Sequence, residues 1–145
     1  QHGLFDQLPL LQSDLEVPEY CECGGLEGVN AWLGTEGTVT PLHCDTYDNF
    51  LTQAVGFKYV RLYDRAQTPR LYVAKAKGAK LNDVSAQGNI SPVECEAPDL
   101  ERYPLFREAE YTEAVLAPGD MLYIPSKHWH YVRSLTPSFL VSFWF

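Results

Sequence analysis

The sequence lacks any long hydrophobic run, and this absence excludes one class of protein. No stretch of the 145 residues approaches the roughly 18 consecutive apolar residues that a membrane-spanning helix needs. No secretory signal opens the chain, which starts at Gln1 and has one methionine, Met121. We therefore expect no membrane association, and we expect a trimmed segment whose N-terminal neighbour is missing.

Clusters of basic residues are also missing. The chain has 11 Lys and Arg against 19 Asp and Glu, which gives a net charge of −8 at pH 7. Nucleic-acid-binding proteins carry the opposite balance, so we expect no direct binding to DNA or RNA. An acidic balance keeps a protein soluble and favours basic partners, such as a peptide with Lys or Arg side chains.

Cysteines are few and do not form a zinc motif. The four are Cys21, Cys23, Cys44 and Cys95. One residue separates Cys21 from Cys23, whereas zinc knuckles use two or more, and no second pair follows. A chain with 46% hydrophobic residues can bury a core without disulfides. We expect four reduced thiols and a location in the nucleus, the cytoplasm or both.

Extended helical periodicity is absent, whereas short strand-like runs are frequent. Eight runs rich in Val, Thr, Tyr, Phe, Trp and Leu are separated by turn residues. They cover residues 29–33, 38–42, 50–55, 58–63, 112–116, 121–125, 131–135 and 139–145. Many short strands with turns between them predict an all-β fold of the sandwich or barrel type.

The chain is interpreted as one domain without internal repeats. Its segments are a winding arm (1–28), the first strands (29–65), a long insert (66–111) and the closing strands (112–145). Proline and glycine interrupt the arm, which predicts one helical turn near Leu4 to Leu8. Within the insert, residues 98–106 predict a helix that Pro104 ends early.

His43 and Asp45 stand two residues apart in a strand-like run, so their side chains point to the same face. An imidazole and a carboxylate there can hold one divalent metal, and a second histidine completes the set typical of non-haem Fe(II) sites. His130 is the preferred third ligand because it opens an apolar run. We expect His128, in the preceding turn, to be a surface histidine. The alternative to a metal site is a hydrogen-bonded pair at a strand end.

Three further side chains suit an acid beside such a metal. Oxygen activation there needs an electron donor, usually 2-oxoglutarate, whose far carboxylate needs a cation. Lys58 lies 15 residues after His43 in an apolar setting that favours an inward ammonium, and a buried lysine needs an anionic partner. Thr40 offers a hydroxyl and Asn49 an amide to the same carboxylate. The alternative for Lys58 is a solvated strand lysine.

Several segments taken together resemble the jumonji-C (JmjC) oxygenase family, and more specifically its JmjC-domain-containing protein 5 group. They are QHGLFDQ (1–7), NAWLG (30–34), TPLHCD (40–45), NFLTQAVGFK (49–58), PDLE (98–101), IPSKHWHYVR (124–133) and VSFW (141–144). The resemblance implies a double-stranded β-helix, which is a cupin-like jelly roll. It implies Fe(II) held by His43, Asp45 and His130.

The resemblance also implies 2-oxoglutarate and O2 as cosubstrates, with Thr40, Asn49 and Lys58 holding the 2-oxoglutarate. Trp32 would form a wall on the substrate side, or else be a core tryptophan. The family's domain continues further toward the N terminus. We therefore expect residues 1–145 to be the C-terminal portion of a single JmjC domain, truncated on its N-terminal side and with exposed sheet edges.

The function implied by the resemblance is a Fe(II)- and 2-oxoglutarate-dependent dioxygenase that hydroxylates a protein side chain. The group is associated with arginyl hydroxylation and with demethylation of N-methyl-lysine in histones, so we expect a basic protein or peptide as partner and a monomeric chain. Two other classes stay open. One is a non-catalytic metal-binding module that recognises basic peptides. The other is a metal cupin with isomerase or lyase chemistry, although no further histidine lies near His43.

Overall fold

In the part of the chain that the structure describes, eight strands form two four-stranded antiparallel sheets. The strands are β1 (Gly28–Gly34), β2 (Val39–Cys44), β3 (Asn49–Val55), β4 (Lys58–Tyr63), β5 (Thr112–Leu116), β6 (Met121–Ile124), β7 (Trp129–Ser134) and β8 (Ser138–Trp144). The first sheet has the order β1-β8-β3-β6, and the second has the order β2-β7-β4-β5. This arrangement is a jelly roll, so the prediction of an all-β double-stranded β-helix is confirmed.

The computed structural model describes residues 4–73 and 88–145. Residues 1–3, which open the first segment of the resemblance, and residues 74–87, inside the predicted insert, lie outside this description. Each predicted strand is present, with ends within two residues of those expected. β6 stops at Ile124, one residue earlier than predicted, because Pro125 has no N–H to donate to a ladder.

Among residues 4–73 and 88–145, helical structure is limited to short elements. They are α1 (Leu4–Gln7), α2 (Pro9–Ser13) and 3-10 turns at Glu19–Cys23, Arg65–Arg70 and Pro104–Glu108. The helix predicted over 98–106 is wrong, because Oδ1 of Asp99 accepts the N–H groups of Glu101 and Arg102 and so closes a turn. Pro104 then begins a 3-10 turn, where its missing N–H is harmless. No helix in the described ranges is long and apolar enough to cross a membrane.

The N-terminal arm covers the outer face of the first sheet. Phe5 and Cys21 of the arm are buried against Ala31, Phe50 and Phe143 of the sheet. The contact explains how a polar arm with little regular structure is fixed in place, because its few apolar residues fill one cluster.

The insert covers the outer face of the second sheet. Leu71, Val93 and Phe106 of the insert pack in one buried cluster with Trp129 and Tyr131 of β7. The described parts of the insert therefore shield the back of the sheet that carries both candidate histidines. Between the two sheets lies a third cluster, composed of Leu51, Val60, Leu116, Ile124, Val132 and Leu140.

Candidate active site

His43 and His130 are neighbours on adjacent strands of the second sheet. They are directly paired between β2 and β7, and their ring centroids are 4.1 Å apart. Oδ2 of Asp45 is 3.9 Å from Nε2 of His43 and 3.7 Å from Nε2 of His130. Two atoms that each lie about 2.1 Å from one ion are at most about 4.2 Å apart. The carboxylate can therefore share an ion with either imidazole, and the three ligand atoms all lie within 4.8 Å of one another.

Backbone carbonyls orient both imidazole rings. Nδ1 of His43 is 2.8 Å from the carbonyl oxygen of Pro41, and Nδ1 of His130 is 3.1 Å from that of His128. A carbonyl oxygen only accepts, so each Nδ1 carries the hydrogen and each Nε2 keeps a free lone pair. This tautomer directs both Nε2 atoms toward Asp45 and is the arrangement in which histidine binds a metal.

Burial favours the uncharged forms of His130 and Asp45. It is the main cause that lowers the pKa of His130 to about 3; the charge of His43 lowers this pKa further, whereas the hydrogen bond to the carbonyl of His128 raises it. Burial also raises the pKa of Asp45, which His43 partly offsets. Desolvation penalises any charged group, and a bound divalent cation reverses that preference for a carboxylate. The donor set therefore suits a divalent ion and leaves it open to further ligands.

A β-bulge places Thr40 on the same face of β2 as His43. Thr40 pairs with Val132 and His43 pairs with His130, so three steps along β2 match two steps along β7. The extra residue restores a common direction to two side chains at an odd spacing. Strict alternation would have put them on opposite faces. Pro41 lies within the shift, where a residue without an N–H is tolerated.

The residues expected at the site border one cavity between the sheets. They are Trp32, Thr40, His43, Asp45, Asn49, Lys58 and His130, and Leu51, Val132 and Leu140 complete its wall. The free volume is about 30 Å³, which holds one or two water molecules. The structure thus brings these seven side chains together from five strands and one loop.

The cavity has two ends. At one end, described first, the two sheets come into contact. A Cβ on Gly34 would lie 2.7 Å from Oγ of Ser134, and the hydroxyls of Ser134 and Ser138 are 3.0 Å apart. Lys58 belongs to this level because it pairs with Ser134. His130 lies four residues earlier on β7, which is about 13 Å at about 3.3 Å per residue. Lys58 and the two histidines therefore stand at opposite ends.

Lys58 is a buried cation, with 6% of its surface exposed. Within residues 4–73 and 88–145 it forms no ion pair. Burial lowers the pKa of Lys58, because desolvation disfavours the ammonium form. An anionic ligand at this end of the cavity would be stabilised by the ammonium and would in turn keep it charged.

Asn49 stands nearer the metal ligands than Lys58. It begins β3 four residues after Asp45, is 3% exposed, and its Oδ1 has no hydrogen-bond partner in the described structure. We expected either Thr40 or Asn49 to bind the same carboxylate as Lys58. The strand register separates Asn49 from that end, so its amide suits the opposite end of a bound acid.

Trp32 forms a fixed part of the wall. Its Nε1–H donates to Oγ of Ser142 over 2.9 Å, and its ring packs against the apolar cluster between the sheets. The two interpretations of this residue, a pocket wall and a core tryptophan, therefore both describe its position.

Two neighbours of the ligands lie outside the cavity. His128 is half-buried in the turn before β7, with its Nε2 3.4 Å from Oδ2 of Asp64. Cys44 packs against the cluster under the insert, on the outer side of the second sheet. The structure therefore places His130, and not His128, beside Asp45.

Residues 89–91 reach the metal end, and the sequence analysis missed them. The N–H of Cys44 donates to the carbonyl of Asn89 over 2.9 Å, and the N–H of Ser91 donates to the carbonyl of Leu42 over 2.8 Å. Ile90 pairs with His43 in an isolated bridge. The insert thus binds the free edge of β2 beside the first histidine. No local pattern signals this contact, because the two segments are distant in the chain.

Comparisons with known proteins show the family to which the chain belongs. The cupin-like domain family matches residues 1–145. Lysine-specific demethylase 8 of Danio rerio is 49% identical over 150 residues, covering 99% of this chain and 34% of that protein. Jumonji C domain-containing protein 5 of Drosophila melanogaster is 40% identical over 149 residues, covering 99% and 35%.

A likeness to a solved structure shows the shared fold. The X-ray structure of Escherichia coli ycfD matches with a TM-score of 0.54 and 20% identity, over 94% of this chain and 29% of that chain. This chain spans about a third of the length of the curated relatives that it matches. It belongs to the cupin-like domain family and, within it, to the JmjC-domain proteins.

Proposed function

We propose that the chain is the metal-binding, C-terminal portion of a JmjC domain that works as an Fe(II)- and 2-oxoglutarate-dependent oxygenase on a protein side chain. One cavity supports this proposal, because a His–Asp–His set lies at one end and a buried lysine at the other. Two histidines and one carboxylate with open positions suit non-haem Fe(II). A lysine suits the terminal carboxylate of a dicarboxylic acid.

The ligand roles follow from the free lone pairs. His43 and His130 would bind Fe(II) through Nε2, and Asp45 through its carboxylate. The Fe(II), with 2-oxoglutarate and O2, would supply the oxidising chemistry. His43, Asp45 and His130 all come from the second sheet and the turn that follows β2, so an ion held by them would be open to further ligands from the cavity.

The two ends of the cavity match the two ends of the acid. Lys58 would bind the far carboxylate, and the hydroxyl of Thr40, on the same side of the cavity, would donate to it. Asn49 would bind the end that chelates the metal. Val132 and Leu140 form apolar walls between these groups, and they would keep water from the reacting atoms.

The proposed substrate is a basic side chain of a protein, either arginine or N-methyl-lysine. The name of the Danio rerio relative, a lysine-specific demethylase, supports the second choice. A net charge of −8 favours basic peptides in both cases. A histone partner would make the protein a chromatin regulator in the nucleus. The four free cysteines are compatible with the nucleus or the cytoplasm, and we propose a monomer.

Mass spectrometry of two matched peptides tests the proposal. One peptide carries arginine and the other N-methyl-lysine in the same flanking sequence, and each is incubated with the chain, Fe(II), 2-oxoglutarate and oxygen. Gain of one oxygen atom on arginine supports hydroxylation, and loss of a methyl group supports demethylation. His43→Ala and Asp45→Ala are the matched controls.

Two results would count against the proposal. Succinate formation that persists in both control variants would show that the three ligands do not hold the working metal. Metal binding by a folded chain, without turnover of 2-oxoglutarate, would instead support the non-catalytic module that recognises basic peptides.

A further inference from the structure

Asn30 is a buried polar side chain to which the proposed function gives no role. Only 2% of its surface is exposed, and its Nδ2 has no hydrogen-bond partner in the part of the chain that the structure describes. Buried amide groups in native proteins are almost always paired, because an unpaired one loses its hydration without compensation. The amide of Asn30 therefore keeps a hydrogen-bond donor that a ligand can use, provided that the side chain lies where a ligand binds.

The side chain of Asn30 lies on the inner face of β1, the same face as that of Trp32. The next residue, Ala31, packs outward against the N-terminal arm, so Asn30 points the other way. Trp32, two residues after Asn30, lines the cavity. A Cβ on Gly28 would lie 3.8 Å from Nδ2 of Asn30. The amide therefore lies along the inner face of β1, on the side away from Gly34.

Asn30 stands at the level of the metal ligands. Gly34 and Ser134 touch at the Lys58 end, as described above. Asn30 lies four residues before Gly34, and His130 lies four residues before Ser134. β1 and β7 run in the same direction, because β7 turns into β8 and β8 pairs antiparallel with β1. Equal steps along both strands therefore place Asn30 opposite His130.

The cross-strand neighbour of Asn30 already has a hydrogen-bond partner. Asn30 pairs across the strands with Ser142, whose hydroxyl accepts the Nε1–H of Trp32. Leu51 follows on the other side of β8 and offers no side-chain acceptor. Neither cross-strand neighbour in its own sheet therefore offers a free side-chain acceptor to the Nδ2–H of Asn30, and a molecule bound between the sheets would supply one.

We propose that Asn30 is a further cosubstrate-binding residue, whose Nδ2–H donates to a carboxylate oxygen of 2-oxoglutarate at the metal end. The inference rests on the proposed function, which brings an acid to this level of the cavity. A hydrogen bond from an amide to a carboxylate is charge-assisted and stronger than one between neutral groups. It would hold the chelating end of the acid from the sheet opposite the metal ligands.

Calorimetry on the Mn(II)-loaded chain tests the inference, since Mn(II) replaces Fe(II) without turnover. 2-Oxoglutarate is titrated into the wild type, Asn30→Ala and Asn30→Asp, and Mn(II) affinity is measured separately without the acid. We expect the Kd for 2-oxoglutarate to rise about tenfold in Asn30→Ala, as for loss of one hydrogen bond to a charged group. Asn30→Asp keeps the shape, but its carboxylate repels the acid, so we expect a larger rise. Mn(II) affinity should not fall in either variant.

Thr52→Val is the matched control. Thr52 also has a buried side-chain oxygen without a partner in the described structure, on a strand of the same sheet. It alternates with Leu51 and Gln53, so it lies on the face away from the cavity. Its substitution should leave both affinities unchanged.

A second measurement uses the wild type alone and does not depend on the folding of a variant. The chain is labelled with 15N-asparagine and loaded with Zn(II), and 2-oxoglutarate is added. We expect the side-chain amide signal of Asn30 to move downfield as its proton enters a hydrogen bond. An amide signal that stays in place when the acid binds would overturn the inference.

The outcomes separate this inference from the proposed function. Binding of 2-oxoglutarate by the wild type, with the same Kd in both Asn30 variants, overturns the role of Asn30 and leaves the proposed function intact. A wild type that binds Mn(II) but not the acid overturns both. A weakened Kd in the Asn30 variants, with unchanged Thr52→Val, supports both.

Discussion

At the scale of single residues, Lys58 suits an anionic ligand but destabilises the ligand-free fold. Its ammonium is buried, and burial lowers its pKa. A lysine whose pKa is lower in the folded state binds its proton more weakly there, so it destabilises the fold at any pH below its unfolded pKa of about 10.4. The penalty is therefore present at neutral pH and disappears above that value.

We expect Lys58→Met to stabilise the ligand-free chain at pH 7 and to abolish 2-oxoglutarate binding. Replacing a buried, unpaired charge by an apolar side chain should raise the free energy of unfolding by about 1 kcal/mol. For a domain of this size, that is about 4 °C in Tm. Thermal unfolding measures the effect, with Lys127→Met as the control on an exposed lysine. A lower Tm for Lys58→Met than for the wild type would contradict the role given to burial.

Residue type and spacing predicted much of the candidate site, but not its geometry. His43, Asp45 and Lys58 were singled out from chemistry and pattern, and the structure places them on one cavity. The common face of Thr40 and His43 depends on a bulge that alternation does not predict. Asn30 carried no signal, since its burial depends on the sheet across the cavity.

At the scale of elements, Glu96 fixes the insert to β7. Nε and Nη2 of Arg133 donate to the two oxygens of Glu96 over 2.6 and 3.0 Å, and the hydroxyl of Tyr131 donates over 2.7 Å. Arg133 is the main cause that lowers the pKa of Glu96, and Tyr131 adds to it. A carboxylate with a lowered pKa stabilises the fold above its unfolded pKa of about 4.3, and this contribution is lost as the pH falls through the folded value.

We expect Glu96→Gln to loosen the insert at pH 7 and to have little effect at pH values below the lowered pKa of Glu96, where the carboxyl group is itself protonated. About a third of each side chain is exposed, so the loss should be below about 1 kcal/mol. Hydrogen exchange over residues 88–111 measures it, and Glu94→Gln is the control on a neighbouring exposed carboxylate. Equal exchange in the two variants at pH 7 would show that the ion pair does not hold the insert.

The turn that leads from β3 in the first sheet to β4 in the second depends on Gly56. Its φ is +73°, and a Cβ there would lie 2.2 Å from the carbonyl oxygen of Pro137. Gly37 has a similar φ of +80°, but a Cβ there would meet no atom within 4 Å. We expect Gly37→Ala to destabilise the fold by about 1 kcal/mol, from the backbone alone. Gly56→Ala should lower the free energy of unfolding by about 2 kcal/mol more than Gly37→Ala does, because of the clash. Equal losses in urea unfolding would contradict the close approach of the β7–β8 turn.

Elements were predicted best where their signal is local. The alternation of side chains and the turn residues located the strands, with β4 and β5 correct at both ends. The helix predicted over 98–106 is wrong for a local reason. The acidic residues of this segment suggest a helix start, but Asp99 favours a turn just as readily. The role of the insert as a cover follows from distant contacts, which no short pattern contains.

At the scale of the whole molecule, the jelly roll brings distant parts of the chain to one place. β1 lies beside β8, and β2 lies beside β7, so both ends of the domain meet at the cavity. His130 reaches His43 only through this pairing. Composition and turn spacing predicted a sandwich or barrel, and the order of the strands came from the resemblance to the JmjC family. Strand order could not come from local patterns, because it is set by contacts between residues far apart in sequence.

The central claim is that His43, Asp45 and His130 hold an Fe(II) that 2-oxoglutarate chelates. The most direct test is an anaerobic titration of 2-oxoglutarate into the Fe(II)-loaded chain, observed through the weak visible charge-transfer band of the chelate. We expect the band to appear with the wild type and to be absent with His130→Ala. A folded wild-type chain that retains Fe(II) and shows no band would contradict the account.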